Sequence, residues 1–253
     1  MKTSTQLKVL IRNLSRDKGI NAEIILRNFM LERLLERISL SEYRDQFILK
    51  GGMLIAAIVG IDARATMDMD ATIRGFELNE DKLKNVFNEI LSIPVDDGVL
   101  MRLSKVESIR DEAEYPGIRI SIESVLDKTR QTMKVDITTG DKITPRAIEY
   151  KFQLLLEDRT ISVLAYNLET IFAEKLETIL SRGTATTRMR DYYDIYILME
   201  LHESNLNDDV LREAFINTSI NRGTFENIKN YSSEYIRSIE SSEVILNLWE
   251  RYR

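Results

Sequence analysis

Hydrophobic periodicity divides this chain in two, and that division limits the folds open to it. From Val99 to Tyr166 apolar residues recur at every second position, over Leu100 to Ser108, Gly117 to Val125, Met133 to Thr138, Ala147 to Leu156 and Ser162 to Leu164. Such alternation places one face of a strand on a core. After Tyr166 the repeat changes to 3.6 residues and stays helical to the end. Ahead of the strands, helices are expected over Thr3 to Arg16, from an Asn21 cap to Ile38, over Gly52 to Gly60, and over Glu80 to Leu91 behind an Asn79 cap. A further strand is expected over Thr66 to Arg74. The fold class is therefore α+β, with a mixed helix-and-sheet part over residues 1–165 and a helical part over 166–253. The cleft between two such parts is a common ligand site.

Composition removes several chemistries. There is no cysteine, which excludes disulfides and thiolate zinc sites and suits a reducing cytoplasm. His202 is the single histidine, so a multi-histidine metal site is impossible, and no nucleophile-elbow pattern accompanies it. No segment approaches the roughly 18 to 20 apolar residues of a membrane span. The N-terminal segment lacks the apolar block of a signal peptide. A protein away from membranes, in the cytoplasm, is expected. The net charge of -6 argues against a chain whose main affinity is for nucleic acid backbone, while leaving room for a local basic groove. Nothing signals oligomerisation, and a monomer is expected.

The segment KGGMLIAAIVGIDARATMDMDATIRG, residues 50–75, carries the most chemistry. If Thr66 to Arg74 is one strand, Thr66, Asp68 and Asp70 share a face, and Met67, Met69 and Ala71 face the core. Two carboxylates at that spacing repel each other unless a divalent cation lies between them. Asp136, in the alternating run Met133 to Thr138, is a third candidate. If its strand lies beside the first, three carboxylates converge, as two Mg²⁺ ions roughly 4 Å apart require when one activates a hydroxyl and the other holds a triphosphate. Gly51 and Gly52 would let backbone N–H groups approach a phosphate at the start of a helix. Each feature also has a plain alternative: Asp-x-Asp on a strand is commonly a solvated face, and Gly-Gly a turn. Their conjunction favours the functional reading.

In the helical part, Leu168, Ile171, Phe172, Leu176 and Ile179 form a buried stripe. Lys175 falls on it, either with its stem snorkelling outward or with its ammonium turned to phosphate. Arg182 follows two turns along the same face. Asp191 and Asp194 open a second stripe continued by Ile195, Leu198 and Leu201, where acids also offset the free N–H groups of a first turn. Arg188 and Arg190 are either solvated or in contact with phosphates. Tyr231, Tyr235 and Trp249 read as packing residues.

These segments together resemble the AbiEii family of nucleotidyltransferase toxins, relatives of the MenT toxins within the DNA polymerase β-like superfamily. The matching stretches are Leu49 to Gly52, Arg64 to Asp70, Lys134 to Asp136, Ala173 to Glu177 and Arg190 to Asp194. The resemblance implies a polymerase β-like nucleotidyltransferase domain followed by helices. It also implies the toxin of a type IV toxin–antitoxin system tied to abortive phage infection, with a cognate antitoxin encoded alongside. The implied reaction is Mg²⁺-dependent transfer of a nucleotide from NTP to an acceptor, which for the MenT relatives is the 3′ end of tRNA. Carried over by position, Asp68 and Asp70 are metal ligands with Asp136 as third carboxylate. Lys175 and Asp191 match two positions required for activity. Lys50, Gly51, Gly52, Thr66, Lys175, Arg182 and Arg190 are the candidate nucleotide contacts. The wider superfamily usually has Gly-Ser where this chain has Gly51-Gly52, which leaves phosphate to backbone groups. The resemblance further implies a chain that continues past Arg253, so that the helical part is truncated. Competing readings are nucleotidylation of a small molecule or protein, and a non-catalytic NTP-binding regulator.

Overall fold

A computed structural model describes residues 4–109 and 117–252. Thr3 and Arg253, on which sequence expectations touch, lie outside them. The chain forms two compact units, Met1–Gly140 with Ile148–Ala165, and Asp141–Ala147 with Tyr166–Arg253.

The first unit holds α1 (Ser4–Lys18), α2 (Ala22–Leu40), β1 (Phe47–Lys50), α3 (Gly51–Val59), β2 (Met69–Ile73), α4 (Glu80–Ser92), β3 (Val99–Ile109), β4 (Gly117–Leu126), β5 (Thr129–Thr139), β6 (Ile148–Gln153) and β7 (Thr160–Ala165). The strands make one sheet in the order β3-β4-β5-β2-β1-β7-β6. It is mixed: β2 runs parallel to β5 and β1 parallel to β7, while the other neighbours are antiparallel. Alternation sets the faces. In β4 and β5, Ile118, Ile120, Ile122, Met133, Val135 and Ile137 are buried, and the residues between them are more exposed. The expected caps form, with Asn21 Oδ1 accepting from Glu23 N at 2.8 Å and Asn79 Oδ1 from Asp81 N at 2.9 Å.

Two expectations change. The strand expected over Thr66 to Arg74 starts only at Met69, with Met67 and Asp68 forming a bend after Thr66, and Met67 stands 39% exposed where a core position was expected. Asn28, buried on α2, causes this by donating its Nδ2 to the Thr66 carbonyl at 2.9 Å, while Thr66 Oγ1 donates to the Asp68 carbonyl at 3.1 Å. The second change is an addition: β1 was not expected, being four residues, FILK, with no alternation to reveal it.

The second unit holds α5 (Leu168–Arg182), α6 (Met189–His202), α7 (Asp208–Asn221), α8 (Phe225–Glu240) and α9 (Glu243–Tyr252). On α5 the buried set is Thr170, Ile171, Phe172, Ala173, Glu177 and Ile179, with Leu168 and Leu176 only half-buried. Glu177 is buried because Arg222 reaches it at 2.6 Å and Thr224 Oγ1 donates to it at 2.9 Å. On α6, Asp191, Asp194 and Leu198 are buried as expected, but Leu201 is 49% exposed and Ile195 half-buried. No described helix is long and apolar enough to cross a membrane.

Helix α2 buries charge as well as apolar surface. Arg33 reaches Glu157 at 2.9 Å, Arg37 pairs with Asp97 at 2.7 Å, and Glu32 accepts the Leu155 N–H at 2.9 Å. Burial pushes the Glu32 pKa up to about 8, outweighing the Leu155 hydrogen bond and Arg33, which act downward. The unfolded chain releases that proton near 4.5, so between 4.5 and about 8 the folded state binds more protons and stability falls as pH rises. Glu32→Gln removes this titration while keeping the shape. Urea midpoints measured across that window should fall with pH in the parent and lose that component of the fall in the variant; identical slopes would contradict the assignment.

Candidate active site

The glycine turn joins β1 to α3. Gly51 has φ +66, a region that costs a residue bearing Cβ about 1 to 2 kcal/mol. Space is a stronger constraint than conformation: a Cβ on Gly51 would lie 2.1 Å from Asp70 Oδ2 and 2.8 Å from Asp70 Cβ. Gly52 is nearly as tight, where a Cβ would meet Thr66 Oγ1 at 2.9 Å and the Arg64 guanidinium at 3.4 Å. Gly51 therefore admits the Asp70 carboxylate to the start of α3, where the Gly52 N–H points to Oδ2 at 3.4 Å. An acidic group there is favoured by the helix dipole. Lys50 is the cap residue of α3, and its side chain makes no cap hydrogen bond.

Strand register aligns four charged residues. Lys50 on β1 pairs with Asp70 on β2, Asp70 with Asp136 on β5, and Asp136 with Arg119 on β4. Two adjacent carboxylates thus lie between two cations in one row across the sheet. Arg119 grips Asp136 with both arms, Nε to Oδ1 at 2.8 Å and Nη2 to Oδ2 at 2.7 Å. That hydrogen bond, with the charges of Asp136, Asp68 and Glu107, holds the guanidinium above its ordinary pKa. Asp68 is exposed in the bend before β2, outside the strand alternation that was expected to align it with Asp70.

Among the described residues, no three acidic or histidine side chains gather closely enough to hold a metal ion. Asp68, Asp70 and Asp136 carry the kind of oxygen donor that suits a hard divalent cation, and both oxygens of Asp136 are held by Arg119. Thr66, expected among the nucleotide contacts, is buried and its hydroxyl serves the bend. Sequence reasoning missed Arg119, Asn28 and Arg64 as site residues. Arg119 sits at an ordinary alternating position, and only the β4–β5 register brings it to Asp136.

The second unit carries its own charged cluster. Lys175 Nζ lies 2.6 Å from Asp191 and 2.9 Å from Asp194, and Arg188 Nε donates to the other Asp191 oxygen at 2.8 Å. Burial raises the Asp191 carboxyl, but Lys175 and Arg188 outweigh it and hold the group below its ordinary pKa. Arg182 and Arg190 are both exposed.

A family model described as nucleotidyl transferase AbiEii toxin, type IV TA system, matches residues 33–253. The chain belongs to the AbiEii family. It is thus a nucleotidyltransferase and a member of a toxin–antitoxin toxin family, which implies an antitoxin partner. No curated protein matches it in sequence. The crystal structure of JHP933 from Helicobacter pylori is similar in fold, with TM-score 0.51 and 15% identity over 91% of this chain and 99% of that one. MenT4, a nucleotidyltransferase toxin from Mycobacterium tuberculosis H37Rv, gives TM-score 0.58 and 14% identity over 83% of this chain and 68% of that one. Both likenesses concern the fold.

Lys175→Met leaves two buried carboxylates short of their shared cation. We expect a loss of about 3 kcal/mol or more in urea unfolding, with part of it regained when Asp194→Asn is added. A single variant as stable as the parent would contradict the pairing.

Proposed function

We propose that this AbiEii-family toxin transfers a nucleoside monophosphate from NTP to the 3′ end of tRNA, with Mg²⁺, in the cytoplasm, as part of defence against phage. The observation that carries the reading is the Asp70 carboxylate set into the glycine turn at the start of α3, with Asp136 beside it in register. A core or solvated strand has no need of a glycine that clears space for a carboxylate.

Asp68 and Asp70 would hold the metal, which supplies neutralisation of the triphosphate and of charge in the transition state. The Gly51–Gly52 backbone and the α3 N-terminus offer N–H groups and a positive end to phosphate. The acceptor 3′-hydroxyl oxygen attacks the α-phosphorus, a new O–P bond forms, and the bond to the bridging oxygen breaks to release pyrophosphate. Asp136 is the base we assign to the hydroxyl proton. Arg119 must loosen its grip for Asp136 to accept it, so we assign Arg119 to setting when that carboxylate is available. Within the second unit, we assign Asp191 and Asp194 to fixing the ammonium of Lys175, a residue that matches a position the family requires for activity. Lys50, in the first unit, remains a proposed cationic contact of the nucleotide. Resemblance to the MenT toxins supports the tRNA acceptor.

Incubation with Mg²⁺, each labelled NTP in turn and total bacterial tRNA tests this. Label should enter tRNA with one NTP or a subset of them, and Asp70→Ala should reduce incorporation by at least about a hundredfold, the scale of losing one preorganised electrostatic group. Tight NTP binding with no labelled tRNA would reject the acceptor and favour a small molecule, a protein or a non-catalytic role. Full incorporation by Asp70→Ala would reject the site.

A further inference from the structure

A cavity of about 590 Å³ opens within the second unit, between the start of α6 and the end of α9. Thr187, Arg188 and Arg190 line one side, and Leu248, Arg251 and Tyr252 the other. Its volume lies in the range of small-ligand sites. Three guanidinium groups around one concavity run against the charge of a chain whose net value is -6. Arg188 is partly neutralised by Asp191. Arg190 and Arg251 are exposed and form no ion pair among the described residues. Among the described residues no acidic or amide side chain lines the cavity, so they offer nothing to a metal ion and few groups that would read the edge of a particular base.

Tyr252 supplies a different contact. It is 44% exposed, and its ring meets Tyr193 of α6 at 5.9 Å and 60°. Trp249, one turn earlier on α9, meets Tyr196 of α6 at 6.3 Å and 75°. These edge contacts fix α9 against α6 and leave part of the Tyr252 ring available. Guanidinium forks beside an aromatic ring are the pair of contacts that grips single-stranded nucleic acid without regard to sequence, phosphates on arginine and a base on the ring.

We propose that this groove binds an unpaired stretch of the acceptor RNA, with its phosphates on Arg190 and Arg251 and a base stacked on Tyr252. The proposal rests on RNA being the acceptor and adds where on the chain the strand is held. An acidic protein repels a polyanion at long range, so a local site of this kind is what lets it retain one.

The test is fluorescence anisotropy with the full chain and a labelled single-stranded RNA of about 12 nucleotides, within the span of known single-strand sites, at salt between about 50 and 200 mM. The parent should bind, with log K falling linearly against log salt. Arg251→Ala should reduce the magnitude of that slope by about 0.7, the value of one phosphate contact on a single strand, and Arg251→Lys should restore it. Tyr252→Ala should weaken binding about tenfold with the slope unchanged, while Tyr252→Phe keeps the parent affinity and guards against a folding defect. Parent-like affinity and slope in both alanine variants, or no binding by the parent, would overturn the proposal. So would a free nucleoside monophosphate that competes as well as the strand, since the site would then take a mononucleotide. RNA binding that follows this pattern without any transfer of label to tRNA would reject the proposed reaction and leave the groove standing.

Discussion

The sheet unit is organised around one close approach. The Asp70 carboxylate occupies the space where a side chain on residue 51 would stand, and it does so because β1 and β2 pair in a register that sets Lys50 against Asp70. The turn after β1, the start of α3 and the position of a buried-edge carboxylate are therefore one constraint. Gly51 meets both parts of it, with a positive φ and no Cβ. Carboxylate at a helix N-terminus is favourable locally, and beside Asp136 it is costly unless positive charge is supplied.

In the first unit that charge comes from Arg119, which takes both oxygens of Asp136. The second unit has a clamp of its own, with Lys175 held by Asp191 and Asp194. Buried or half-buried ion pairs of this kind contribute little net stability against apolar substitutes, yet losing one partner is expensive. Here they fix the direction of the charged groups they join. A carboxylate clamped by an arginine is poised without being free, and an ammonium clamped by two carboxylates keeps its charge and its place. The same cluster orders the first turn of α6, from which Arg190 reaches the arginine groove.

Much of the fold was legible in the sequence because its signals are local. Period-two alternation gave β3 to β7 and the 3.6 repeat gave α5, while asparagine caps located the starts of α2 and α4. What stayed hidden depends on partners distant along the chain. The alternation through Met67 misled because Asn28, 38 residues away, holds the bend at Thr66. Four residues without alternation concealed β1, although the whole turn depends on it. Glu177 lies outside the apolar stripe of α5, and its burial depends on Arg222 and Thr224, more than forty residues along the chain. The candidate site was legible as residue types, with Asp70 and Asp136 placed side by side by the β2–β5 register. Arg119 was not, since a single arginine on an alternating strand carries no sign of the carboxylate opposite it.

The central claim is that Gly51 is glycine on account of Asp70, and a double-mutant cycle on unfolding free energy measures it directly. Gly51→Ala in the parent should cost the backbone strain of about 1 to 2 kcal/mol plus the clash with the carboxylate. In an Asp70→Gly background, which removes the three Asp70 atoms within 2.8 Å of the added Cβ, only the strain should remain. The account predicts a coupling energy of at least about 1 kcal/mol between the two positions. Additive effects would show that the turn needs its glycine for conformation alone and that the approach to Asp70 is incidental.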